Sequence, residues 1–157
     1  MKLRGWIAAL VFAGTSIPLA IAQSGPERSS SDQPYVPQLS DIMNSAQTRH
    51  MKLWFAGKVE NWDLARFELS RLKASLAEAA LLYSGIPVSN ITTLGAPLQS
   101  TADAIDAKDG KRFAASFGEL TAGCNACHGS MARSFIVIRT PTEQPFGNQV
   151  FAPQGKR

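Results

Sequence analysis

Five consecutive residues toward the C-terminus, Cys124-Asn125-Ala126-Cys127-His128, hold both cysteines and one of the two histidines of a 157-residue chain. No other feature constrains the fold as much. Without a third cysteine, a disulfide-stapled scaffold and a zinc site built from two cysteine pairs are both excluded. An apolar core must hold the chain together. At 45% hydrophobic residues the sequence is long enough to bury one, within a single domain. The 16 basic and 12 acidic residues, a net charge of +4, exclude a disordered chain and a basic nucleic-acid-binding arm.

Residues 1–22 carry the three parts of a secretory signal. Lys2 and Arg4 form the positive start. Trp6 to Phe12, continued by Ile17 to Ala22, form an apolar stretch interrupted by Gly14, Thr15, Ser16 and Pro18. Ala20-Ile21-Ala22 offers small residues for cleavage before Gln23. The alternative, an uncleaved membrane anchor, is disfavoured by the interruptions and the small-residue site. Cleavage after Ala22 leaves a periplasmic chain with no membrane span. It also removes Lys2 and Arg4, which lowers the charge to +2 from 14 basic and 12 acidic residues. In an oxidising compartment the cysteine pair would close into a disulfide unless something else holds the sulfurs.

Residues 23–37, rich in Ser and Pro, are expected to be a flexible lead-in. Four helices are predicted over residues 38–133. The first runs from about Gln38 to Ala56, with Leu39, Ile42, Met43, Ala46, His50, Leu53 and Trp54 facing inward and Gly57 in the left-handed position that ends it. The second is capped by Asn61 and runs to about Tyr83, with Leu64, Phe67, Leu72, Leu76, Ala79 and Tyr83 on its inner face. A shorter third spans about Ala96 to Ala107, with Pro97 in its first turn, Leu98, Ala102 and Ile105 inside, and Leu94 and Gly95 in the preceding connection. The fourth follows Asp109-Gly110, from about Lys111 to Ala132, and carries Phe113, Phe117, Leu120 and the cysteine cluster. Short connections make an all-α, antiparallel four-helix bundle the simplest architecture. From Ser134 to Arg157 the β-like run Phe135-Ile136-Val137-Ile138 and Pro141, Pro145 and Pro153 forbid a long helix. An extended tail laid over the bundle is expected.

C-x-x-C-H is the attachment signature of a c-type haem. Two thiols three residues apart lie on one face of a helical turn and reach one edge of the macrocycle, where they add to its two vinyl groups. The adjacent histidine then falls under the iron. With two Cys and two His in 157 positions, the pattern arises by chance in about one of six thousand chains. Two rivals remain. A redox-active C-x-x-C belongs near a βαβ unit, whereas this motif ends a helix. A closed zinc site would need His50 or a carboxylate as its fourth ligand. One covalent haem c, held by Cys124 and Cys127 with His128 on the iron, is the expected cofactor. Phe113, Phe117, Leu53 and Trp54 are candidates for its walls, although ordinary helix core is the commoner role for such residues.

A C-x-x-C-H near the end of the fourth helix resembles the class II cytochromes c, the cytochrome c prime superfamily. Residues 47–57, Gln47-Thr48-Arg49-His50-Met51-Lys52-Leu53-Trp54-Phe55-Ala56-Gly57, are similar to a group of small bacterial cytochrome c family proteins. So are Asn61 to Ala65, Phe135 to Ile138 and Asn148 to Pro153. The likeness covers most of the chain after the signal. Two departures stand out. Cytochromes c prime carry Arg four residues after the ligating His, where this chain has Ala132 with Arg133 one later, and they lack a tail of about 24 residues.

The resemblance also implies that a Met on the first helix supplies the second axial ligand where the iron is six-coordinate. Met43, 14 residues before Gly57, falls close to that position. Met43 and His50 are seven residues apart and share a helix face, so His50 is the alternative, while Met51 points roughly 100° away. Met131 lies on the proximal helix, on the wrong side. Methionine ligation would raise the potential relative to two histidines. The expected function is electron transfer by the haem iron with unknown redox partner proteins, and no enzymatic activity, since no Ser/His/Asp set or phosphate loop is present. The alternative is a five-coordinate protein that binds NO or CO. The Phe135 to Ile138 run either covers the haem edge or pairs two molecules into a homodimer.

Overall fold

Asn61 and Asp109 each complete one helix and begin the next. In the computed structural model, which describes residues 35–86 and 88–155 (side chains of the latter stretch from residue 92), four helices follow in order: α1 Leu39–Lys58, α2 Trp62–Leu82, α3 Val88–Asp106 and α4 Gly110–Ser130. The signal expected over residues 1–22 and the lead-in up to residue 34 lie outside the described residues. There are no strands among the described residues, and no helix among them is long and apolar enough to cross a membrane.

The corner between α1 and α2 shows how local chemistry sets these boundaries. The Glu60 N–H donates to the Gly57 carbonyl at 3.0 Å and the Asn61 N–H to that of Ala56 at 2.9 Å, which satisfies two carbonyls left over by the last turn. The Asn61 side chain then accepts from the Leu64 N–H and caps α2. Lys108 and Asp109 repeat this pair of bonds after α3, to Ile105 and Ala104, and Asp109 caps α4 by accepting from the Lys111 and Arg112 N–H groups. Ala132 and Arg133 make the same bonds after α4, to Gly129 and His128. The residues in the left-handed conformation are Glu60, Lys108 and Ala132, with φ of 58°, 53° and 54°.

Gly57 is therefore not the left-handed stop that its identity suggested. It sits inside α1, buried, and a Cβ there would overlap the Phe113 ring. Glycine is required for the approach of α4 rather than for backbone freedom. The phase of α2 also differs from expectation. Trp62, Ala65, Leu69, Leu72, Leu76 and Ala79 form the buried stripe, whereas Phe67, two residues off it, is 54% exposed. In α3 the helix begins eight residues before Ala96, and Pro97 lies in its interior. Ile91, Thr92, Thr93 and Gly95 are poor helix formers, but Leu94 is 1% exposed and Leu98 is buried beside it. Packing of these leucines outweighs the propensity of their neighbours.

α1 packs on α2, α3 on α4, α2 on α3 and α1 on α4. Phe113, Phe117, Leu53, Leu94, Ile105 and Leu120 are the largest fully buried apolar side chains of the core. The tail folds back against these helices. Its Phe151 is buried against Phe55 and Phe146, and the Phe151 carbonyl accepts from the Asn61 amide at 2.9 Å. Pro37, at the close of the lead-in, accepts from the Tyr83 hydroxyl.

Candidate functional site

Cys124, Cys127 and His128 occupy the last two turns of α4 and line a cavity of about 420 Å³. Leu39, Met43, Ala46 and His50 of α1, Leu72 and Leu76 of α2, and Leu94 of α3 form its other helical walls, closed by Ile136 and Ile138 of the tail. Its interior is aliphatic, and its polar rim includes Asn44 and Gln47, both exposed. Such a volume and lining suit a large apolar ligand. Both proposed axial residues of α1, Met43 and His50, face this space together with the cysteine cluster. Met51 is not among the lining residues, whereas Met131 and Arg133 are. Leu53, Trp54, Phe113 and Phe117, candidates for the walls, do not line the cavity. They are core: Trp54 lies 4.9 Å from Phe117, centroid to centroid.

His128 is held in one orientation. Its Nδ1–H donates to the Ile136 carbonyl at 2.8 Å, which leaves Nε2 as the lone-pair nitrogen. A metal-ligating imidazole is typically fixed this way, through its other nitrogen. The geometry comes from the tail. The left-handed Ala132 turns the chain, the Ile136 N–H closes a turn onto the Arg133 carbonyl at 2.9 Å, and the run then passes back along α4. Ile136 and Ile138 face the cavity, while Phe135 and Val137 are 77% and 73% exposed, the period-two alternation of an extended chain.

His50 is held differently. The Thr121 hydroxyl donates to the Phe117 carbonyl at 2.8 Å, so its oxygen accepts from His50 Nε2–H at 2.9 Å. The ring lies 4.3 Å from Phe117, and burial lowers its pKa from 6.5 to about 4, so it is neutral. Its Nε2 is thus committed to α4, unlike the Met43 thioether. Sequence reading missed Thr121, because a partner 71 residues away leaves no local signal.

Both cysteines are partly buried. Burial, and then the neighbouring Cys127, pushes the Cys124 thiol up to about 11, and burial raises that of Cys127 too. Redox-active C-x-x-C thiols are instead lowered by a helix N-terminus or nearby cations. The negative end of α4's dipole, like burial, disfavours the thiolate at this pair. Among the described residues no three His, Cys, Asp or Glu side chains converge as a metal-ion site. Two thiols and a hydrogen-bonded imidazole thus share one wall of an apolar cavity. Compared with protein-family models, with curated proteins and with solved structures, the chain matches none.

Proposed function

We propose that this protein is an exported, periplasmic c-type cytochrome that transfers electrons. It would be an antiparallel four-helix bundle with one haem joined to Cys124 and Cys127, His128 as one axial ligand and Met43 as the other. The observation that carries the reading is the Nδ1 hydrogen bond of His128 to Ile136, made beside both thiols in a cavity walled by Met43. When bound, the iron supplies one-electron chemistry by alternating between ferrous and ferric states. The residues of this chain supply the rest. Cys124 and Cys127 would hold the ring edge as its two thioether anchors. His128, held through Nδ1, would offer Nε2 to the iron, and the Ile136 carbonyl raises its basicity. The aliphatic walls from Leu39, Leu72, Leu76 and Leu94 would lower the polarity around the iron, which favours the less charged ferrous form. His50, bonded to Thr121, ties α1, which carries Met43, to α4, which carries His128.

Expression with a c-type maturation system tests this. Purified protein should retain haem after denaturation in acid and organic solvent, and a Cys124→Ala, Cys127→Ala variant should release it. Absence of covalent haem from the parent chain would overturn the assignment. The ferrous spectrum judges the sixth ligand. Sharp low-spin bands indifferent to CO, lost in Met43→Ala and retained in His50→Gln, support Met43. A broad high-spin band that shifts with CO would instead establish the gas-binding reading.

A further inference from the structure

Asn125 is one of the two residues between the motif cysteines, and its side chain does not point idly into solvent. Its amide N–H donates to the Ile138 carbonyl at 2.8 Å, and its amide oxygen accepts from the Ile138 N–H at 2.8 Å. Both backbone groups of one tail residue are thus held by one side chain, as a neighbouring strand would hold them. Two residues earlier, the Ile136 carbonyl accepts from His128. The tail is pinned at Ile138 by Asn125 and meets His128 at Ile136, while Arg133 and Ala132 fix its other end through their bonds to the His128 and Gly129 carbonyls.

We infer that Asn125 is a positioning residue for His128: by clamping Ile138 it holds the Ile136 carbonyl on Nδ1 and so sets the orientation and electron donation of the axial imidazole. The inference rests on the haem reading for its redox consequence, but not for the clamp itself. A two-point amide bond is geometrically demanding. Alanine makes neither bond, and aspartate keeps only the one accepted from the Ile138 N–H. Without the clamp, Phe135 to Ile138 is a mobile apolar segment, the Nδ1–H turns to water, and the imidazole becomes a weaker donor. Weaker donation favours the ferrous state.

The test compares the parent holoprotein with Asn125→Ala, Asn125→Asp and, as a neighbouring control, Ser130→Ala, which removes a bond to the Cys127 carbonyl that does not involve the tail. Two quantities are read: the reduction potential, and the solvent-exchange rate of the His128 Nδ1 proton by NMR. Asn125→Ala should raise the potential and speed exchange about tenfold, the net effect of losing both amide bonds to Ile138. Asn125→Asp should fall between it and the parent, and Ser130→Ala should leave both unchanged. Unchanged exchange and potential in Asn125→Ala, with haem still attached, would overturn the inference. If the parent carries no covalent haem, the haem reading falls, and the exchange rate measured in the haem-free chain still decides the clamp. Should Asn125→Ala not fold, Asn125→Asp alone decides: an intermediate rate supports the clamp and a parental rate refutes it.

Discussion

The edge of the Phe113 ring occupies the space that a side chain on Gly57 would need. A helix interior ordinarily favours alanine over glycine by about 1 kcal/mol. Here the overlap reverses that preference, because Phe113 is fully buried and packed against Trp54, Trp62 and Phe117. Gly57→Ala should destabilise the protein by about 1–3 kcal/mol, measured by urea unfolding. A gain in stability would show that α1 and α4 can separate without loss.

His50 makes stability depend on pH. Its pKa is 6.5 when exposed and about 4 in the fold, so between these values the unfolded chain binds a proton that the folded one does not. Stability is whole above pH 6.5 and falls as the pH drops toward 4, by about 3 kcal/mol in total. The group is only 3% exposed, so solvent screens it little. His50→Gln should flatten this part of the profile. Parallel curves for the two proteins would exclude His50 as the source.

Glu68 is 2% exposed and meets Arg49 at 3.1 Å, across α1 and α2. Removing the cation leaves a carboxylate in a dry setting. Arg49→Met should cost about 3 kcal/mol, and the double variant Arg49→Met, Glu68→Met should recover most of it. Thermal unfolding of the three proteins checks both, and a double variant no better than the single one would refute the account.

Ala132 holds a φ of 54° with no side-chain hydrogen bond to offset it. Ala132→Gly should stabilise the protein by about 0.5–1 kcal/mol, relief of the left-handed strain exceeding the added chain entropy. A lower melting temperature would contradict this.

Residues that act through their immediate neighbours were legible. Asn61 announced the start of α2, because a cap needs only the next few N–H groups, whereas Asp109-Gly110 marked the break before α4 without declaring Asp109 as its cap. The spacing of Cys124, Cys127 and His128 declared itself as one unit, and the β-like run from Phe135 to Ile138 foreshadowed an extended segment. What escaped depends on distant partners. Gly57 looked like a stop signal until Phe113, 56 residues on, gave it another role. Leu64 and Phe67 offered α2 a second apolar phase, and only packing chose Trp62 and Ala65. The start of α3 was hidden because Leu94 is helical through its burial against Gly123, where a Cβ would come within 2.7 Å of Leu94 Cδ2. Asn125 read as a spacer within the motif, since its partner is a backbone 13 residues later.

The three-residue corners at Val59–Asn61 and Ala107–Asp109 have a kinetic consequence. Closing so short a loop requires little search, so α1 with α2 and α3 with α4 are the fast events of folding. The cavity belongs to neither pair alone, since its walls come from both and from the tail. It forms only when the pairs dock, at the slow, long-range step. A ligand that fills it therefore adds its binding energy to that docking rather than to the helices, and acts chiefly by slowing the parting of the two halves.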